Sequence, residues 1–437
     1  MSGRANPPTA SRSGVLAWAL WDCGATGVNA VVVTFVFSVY LTEHVGAGLP
    51  EPGTPASWLG RALTIAGLCV ALLAPATGVW VNAPNRRRTA LAMLTGLVVA
   101  LTSAMSLIPP DYHYLWAGLV LLACAAAGSD LATVPYNAML GQLSTSANSG
   151  RISGLGSAAG FAGSVLLLMI IYVGFIAGDG DTRGLLGIPA ADGNNVRASM
   201  LLAAAWLALL AWPLLVSVRP NAIADDRRPP YGFLGAYRAL WDELRSEWRR
   251  DHNVVYYLLA SAVFRDGLTG VFTFGAVLGV SVYGVSQADV LVFGICASVV
   301  AAVGAVLGGR LDDRVGSKHV IAGSLSSMIV VGVVLLSVSG PLAFWICGLL
   351  LCLFVGPTLA SARALMLRMS ADGKEGVAFG LYTTTGRAAS FLAPWMFFTF
   401  VDVFDSDRAG LAGICVVLAA GLAAMALTVR VPREDHG

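Results

Sequence analysis

Charge is what this sequence has least of. Only 12% of its 437 residues are Asp, Glu, Lys or Arg, about half the fraction of a soluble globular chain. That excludes an ordinary water-soluble domain. Histidine is nearly as sparse: His44, His113, His252, His319 and His436 fall in predicted loops or at helix ends, so no catalytic triad or metal site can be assembled from them. The seven cysteines lie inside apolar runs without metal-type spacing or extracellular pairing. They read as small buried apolar residues, with no metal or disulfide expected. The glycine run "GLGSAAG" (154–160) has no strand before it, so close helix packing explains it better than nucleotide binding. "GDGDTRG" (178–184) has acids at calcium-like spacing but lacks the other ligands and reads as a wet external loop. No cofactor is expected, and no nucleic acid, because the basic residues do not cluster with aromatics on a soluble face.

What fills the space is apolar sequence. Hydrophobic residues make up 57% of the chain and the mean hydropathy is +0.74. Runs of about 20 apolar residues cross a hydrocarbon core ~30 Å thick, and twelve are found: 15–40, 58–81, 89–108, 114–138, 152–177, 198–218, 254–281, 288–308, 319–339, 341–364, 376–400 and 409–430. The fold class predicted is an all-α membrane protein of twelve transmembrane helices. The first run is longer than a signal-peptide h-region and lacks a cleavage site, so it is expected to stay. With both termini on one side, that side collects all of the 27 basic residues except Arg183, Arg197 and Arg408 opposite and Arg61, Arg265 and Arg387 within spans. The positive-inside rule then makes the termini cytoplasmic and places the chain in the cell membrane.

The chain also repeats. A shift of 243 lays Thr26-Gly27-Val28 on Thr269-Gly270-Val271 and Ser38-Val39-Tyr40 on Ser281-Val282-Tyr283. A shift of 226 lays Gly150, Gly154, Leu155 and Gly160 on Gly376, Gly380, Leu381 and Gly386. Spans one and five thus map onto seven and eleven, which predicts two pseudo-symmetric six-helix bundles at 15–218 and 253–430 with a solute site between them. Cytoplasmic tails at 1–14 and 431–437 flank them. The linker, 219–252, places Leu234, Tyr237, Leu240, Trp241, Leu244 and Trp248 at three- and four-residue spacing. It reads as an amphipathic helix on the inner leaflet.

"GGRLDDRVGSKHVI" (308–321) resembles the cytoplasmic loop signature of the major facilitator superfamily. Its first-half counterpart, "GVWVNAPNRRRTAL" (78–91), has Asn82 where an acid is usual. Three further stretches resemble the vacuole-effluxer-like branch: "LAWALWDCGATGVNAVVVTFVFSVYL" (16–41), "PYNAMLGQLSTSANSGRISGLGSAAGFAGSVLLL" (135–168) and "EGVAFGLYTTTGRAASFLAPWMF" (375–397). The resemblance covers nearly the whole chain. It implies a monomeric secondary transporter that moves a small organic solute, amino-acid-like or another polar metabolite, by alternating access. Proton coupling and possible efflux are also implied, with Gly309, Asp312, Asp313, Arg314, Gly316 and Lys318 as a gating loop. The alternative is a cation-coupled sugar symporter of the neighbouring glycoside-type branch, which would favour acids in the second span; that span has none. No polar constellation of an enzyme is found.

Mechanism is expected where charge is placed in the membrane, because an unpaired charge at the helix centre costs ~3 kcal/mol or more. The candidates are Asp22, Asn29, Asp130, Arg265, Asp266 and Arg387. Asp266 and Arg387, ~16–18 Å from the cytoplasmic edge, are expected to form an ion pair, since the fold that the resemblance implies makes spans seven and eleven neighbours. Arg265, ~100° away around the helix, would then face the cavity and meet an anionic group of the solute, with Asn29 beside it. The 226 shift sets Phe161 opposite Arg387, so Asp22 is expected to lack a basic partner and to carry the coupling proton, with Asp130 as a second acid. Expected partners are the small solute, protons and the lipid bilayer.

Overall fold

A computed structural model describes residues 12–49, 54–178, 181–217, 252–371 and 373–429, with Gly235, Arg238 and Arg245 as isolated helical positions between the halves. The predicted amphipathic linker helix therefore lies almost wholly outside the described residues, as do the two tails.

The first half contains α1 (Arg12–Asn29), α2 (Pro55–Trp80), α3 (Pro84–Ala104), α4 (Leu115–Leu143), α5 (Ser149–Ile171) and α6 (Asn194–Ser217). The second contains α7 (Asn253–Ser281), α8 (Gln287–Val315), α9 (Ser317–Ser337), α10 (Pro341–Met369), the pair α11 (Glu375–Ala388) and α12 (Leu392–Phe404), and α13 (Asp407–Thr428). Local chemistry sets the boundaries. Thr54 caps α2 through its hydroxyl, with Pro55 at the first helical position. Gly340, at φ 94°, and Pro341 separate the long apolar run around 337–345 into two helices. Helix α1 continues as one run to Val45 through π-helical turns at Ala30–Phe35 and Leu41–Val45. The first coincides with the stiff β-branched sequence Val31 to Thr34.

Eleven of these helical runs are long and apolar enough to cross a membrane. The twelfth crossing is shared by α11 and α12, each too short alone. The break at 389–391 has a cause. In an unbroken helix Pro394 would lack a donor and its ring would meet the Ser390 carbonyl. Pro75, Pro135, Pro213 and Pro357 nevertheless sit within continuous helices. What distinguishes the break is Asp266 on α7, whose carboxylate accepts the Ala393 amide N–H at 2.5 Å.

Two hydrophobic cores result. One gathers Trp18, Trp21, Phe37, Tyr40 and Leu122 from the first half, the other Tyr257, Phe264, Phe293, Phe344 and Phe397 from the second. Apolar side chains such as Leu68, Leu72, Met93, Leu209, Trp212 and Leu307 are exposed around the outside, which is where lipid solvates a membrane bundle. Cys69 and Cys124 belong to this outer surface, whereas Cys23, Cys347, Cys352 and Cys415 are buried; the expectation that all seven are buried is corrected to that extent.

Between the halves, α5 lies along α8 and α2 along α11, the same seam twice under the internal repeat. Close approach depends on glycine. A Cβ on Gly309 would stand 2.5 Å from the Gly150 carbonyl, and one on Gly78 2.6 Å from the Gly376 carbonyl. Both seams tighten at the ends of the helices that lie with the start of α1, termed here the Arg12 face.

Helices α8 and α10 extend well past their hydropathic windows, to Val315 and Met369, because no helix breaker intervenes until Gly316 (φ 86°) and Ser370. This corrects the expected gating loop. Gly309, Asp312, Asp313 and Arg314 stand on the last turns of α8, Gly316 is the junction, and Lys318 is in the first turn of α9.

Candidate functional site

Where the halves face each other at mid-depth they leave a cavity of about 570 Å³. Its charged lining is Asp22, Asp130 and Asp266 with Arg265, Arg363 and Arg387. Asn29, Thr133, Asn137, Thr269, Thr273 and Ser390 add uncharged polar groups. At 1.5 Å per residue, Asp22 and Arg363 sit ~15 Å and ~9 Å from the Arg12 face, and Asp130, Arg265, Asp266 and Arg387 sit ~18–20 Å from it.

Two ion pairs cross between the halves here. Arg363 on α10 approaches the Asp22 carboxylate of α1 at 3.4 Å and donates to the Ser157 hydroxyl of α5 at 3.1 Å. Beneath it, Trp18 and Trp21 stack on the Tyr136 ring with centroids 4.4 Å apart. The guanidinium lies 5.6 Å from the Trp18 ring centre and 5.7 Å from that of Tyr136. One level higher, Arg387 on α11 is ion-paired with Asp130 on α4, and Asp130 also lies within electrostatic range of Arg265.

Arg265 is held differently. Its guanidinium lies over the Tyr382 ring at 3.8 Å and donates to the Tyr382 carbonyl at 2.9 Å.

Toward the Arg12 face the cavity is closed by further cross-links. Asp313 accepts the Gly150 and Arg151 amides, at 2.8 and 3.0 Å, capping the N-terminus of α5 from the other half. Arg368 binds Asp312 at 2.5 Å and reaches the Ser146 carbonyl of the first half. At the symmetry-related seam Asn82 offers no carboxylate; Arg87, buried, pairs with Glu375 at 2.8 Å instead. The acid has moved from the end of α2 to the start of α11. Among the described residues Lys318 bonds within the second half: its ammonium donates to the Val429 carbonyl just past the end of α13.

The profile of the Major Facilitator Superfamily matches residues 23–394. The chain belongs to the major facilitator superfamily. A Bacillus subtilis (strain 168) relative, the uncharacterized MFS-type transporter YxiO, is 21% identical over 95% of this chain and 94% of its own length. The solved structure of the superfamily transporter FucP, in the outward conformation, matches with a TM-score of 0.70 at 15% identity, covering 96% of this chain and all of that one. The proton:xylose symporter XylE, bound to 6-bromo-6-deoxy-D-glucose, matches with a TM-score of 0.72 at 14% identity, covering 95% of each chain. At such identities the structural likeness speaks for the fold. This superfamily member is a multi-pass membrane transporter and not an enzyme.

Two expected relations change within that frame. Asp266 and Arg387 do not pair: Asp266 caps α12 and Arg387 turns to Asp130 across the interface. Asp22 is not without a cation, because Arg363 supplies one. By its place in the sequence Arg363 reads as one of the basic residues of the cytoplasmic side, yet it lies six residues inside the end of α10 at Met369. The apolar run "ALML" that follows it is the sign in the sequence that the span continues past it. Tyr136, Tyr382 and Glu375 carried no comparable mark.

Proposed function

We propose that this transporter moves a small polar organic solute through the central cavity by alternating access, in exchange for or together with protons. The observation that supports the reading is the cavity itself: charged, set between two halves, sealed toward the Arg12 face and lined on toward the opposite helix ends. The proposed setting is the cell membrane with the Arg12 face cytoplasmic, which makes this the outward-facing arrangement. The basic residues concentrated on that side support it. The stretches at 16–41, 135–168 and 375–397 favour a place beside the vacuole-effluxer-like branch and an amino-acid-like or related polar solute, with export as one direction.

Asp22 and Asp130 are the proposed proton carriers, for a reason different from isolation. Each is tied to an arginine of the other half, so a proton on the carboxylate removes the attraction that holds the halves together at that level. Proton loading and parting of the halves then become one event. Asn29, one and a half to two turns beyond Asp22 on α1, is proposed to contact the solute.

The experiment is transport by the full chain in lipid vesicles with and without a pH difference, offered amino acids, organic acids, amines and sugars. Accumulation that follows the pH difference is expected for one class. Asp22→Asn should abolish accumulation while solute exchange at equal pH persists. Accumulation by the Asn variant at normal membrane levels would pass the role to Asp130. No movement of any solute, with folded protein in the vesicles, would refute the transport reading for this cavity.

A further inference from the structure

The cavity's charges do not pair off evenly. Asp22 is matched by Arg363 and Asp130 by Arg387. The third acid, Asp266, accepts the Ala393 amide. Arg265 is thus the cavity guanidinium for which no carboxylate stands opposite among the described residues. The cavity's three acids and three arginines balance in sum, but with Asp266 turned to the start of α12 the Arg265 guanidinium keeps donors that no carboxylate takes, inside a span where a charge needs a partner or water.

Resting on the transport reading above, we infer that the solute carries a carboxylate and that Arg265 is its seat. The guanidinium is already in place for this. The Tyr382 ring covers one face at 3.8 Å, and the Tyr382 carbonyl takes one of its five N–H donors. Gly386 leaves it room: a Cβ there would stand 2.9 Å from one terminal nitrogen and 3.2 Å from the other. A side chain stacked and anchored in this way loses little freedom when a planar carboxylate binds. A planar monoanionic carboxylate matches the two-pronged edge of the guanidinium, whereas a phosphate dianion brings a second negative charge beside Asp130 and Asp266. The hydroxyls of Thr269, Thr273 and Ser390, in the same lining, suit the uncharged remainder of a polar solute.

The test uses the purified full chain and matched probes: leucine against leucinamide, benzoate against benzamide, glucuronate against glucose, and phenyl phosphate as the dianion. Saturable thermal shift reports binding, and counterflow in vesicles reports movement. At least one acid should bind where its uncharged or amide counterpart does not. Arg265→Gln should weaken that binding roughly tenfold or more, the size of losing a charged hydrogen bond, and Arg265→Lys should retain part of it. Gly386→Ala should weaken it as well, with a ligand-free melting temperature near wild type, and it carries the test if the Gln variant fails to fold. Saturable binding confined to the neutral probes or to phenyl phosphate, no binding of any acid, or acid binding unchanged in Arg265→Gln and Gly386→Ala overturns the inference. Acid binding without counterflow would remove the transport reading and leave the seat. Counterflow of a neutral solute that ignores Arg265→Gln would do the reverse.

Discussion

Asp266 offers the sharpest discrimination between two ways of using a buried acid. If it caps the broken eleventh crossing, the quantity at stake is one charge-assisted hydrogen bond to the Ala393 amide, together with the favourable position of a carboxylate at a helix start. Hydrogen bonds to charged groups contribute ~1.5–3 kcal/mol, and caps ~0.5–2 kcal/mol. Because Asp266 borders the cavity, water can reach the freed amide, which favours ~2 kcal/mol for Asp266→Ala. At ~2.1 cal/mol/K per residue, that shifts the melting temperature of a chain this long by only ~2 °C. The Asn variant decides the matter. Asn keeps an acceptor oxygen and is as good a cap as Asp, so Asp266→Asn should lose a few tenths of a kcal/mol. Were Asp266 instead neutralising a guanidinium, Asn would strand that charge as fully as Ala, at ~3–5 kcal/mol. The assay is thermal unfolding in detergent alongside amide hydrogen exchange over 389–396, where Asp266→Ala should speed exchange at Ala393 and Asp266→Asn should not. An Asn variant as damaged as the Ala variant, or a double-mutant cycle that couples Asp266 to Arg387 by more than ~0.5 kcal/mol, refutes the cap.

The same cycle applied to Asp130 and Arg387 should show coupling of ~0.5–3 kcal/mol. The exchanged variant Asp130→Arg with Arg387→Asp should then be more stable than either single variant; a swap no better than the singles removes the pair. At the Arg12 face, Glu375→Gln deprives Arg87 of its cross-half carboxylate but leaves Arg87 its carbonyl contacts to Val81, Asn82 and Ala138. Together with Gly309→Leu, which puts a side chain against Gly150, it should open that face. The readout is labelling of a cysteine placed at Thr383, probed from the Arg12 side in oriented vesicles; labelling no faster than in the otherwise unaltered protein would deny these contacts a gating role.

How much of this was legible in the sequence follows from what each feature depends on. Span number and the two halves rest on hydropathy and repetition, which act along the chain. Most span ends hold to within a few residues, but α3 begins five residues ahead of the expected span, α4 and α10 end five beyond it and α8 ends seven beyond it; at α8 and α10 charged final turns belong to the helix because packing between the halves shelters them. Individual charges depend on which helices touch, and that is not written locally. Asp266 reads as half of an ion pair until the break before Leu392 is seen to present an amide in need of an acceptor. Pro394 signals a possible break, but four other prolines sit in helices that do not break, so proline alone does not locate it. Asn82 is the converse case. The missing acid is visible in the sequence, while its replacement by Glu375 depends on α3 and α11 meeting.

The signs of the cross-half pairs deserve weight of their own. At both levels of the cavity the first half supplies the acid, Asp22 or Asp130, and the second half the arginine, Arg363 or Arg387. Had the signs alternated, a sideways slip could exchange partners; with both paired acids of the cavity on one half, parting the halves leaves two carboxylates facing two guanidiniums across an opening gap. Something must take over each charge as the gap fills. Water can do so in part, and the proposed mechanism provides the rest asymmetrically. A proton settles on an acid of the first half, and an anionic solute seated on Arg265 takes over from Asp130 in the field of Arg387 and Arg265 of the second. Under that arrangement protons act on the acid side and solute on the arginine side of the Asp130–Arg387 level, so each lowers the cost of separation for the other. This is thermodynamic linkage, and it is reciprocal: an acid solute should bind more tightly at lower pH, in step with protonation of Asp22 or Asp130, and that dependence should disappear when both are replaced by Asn.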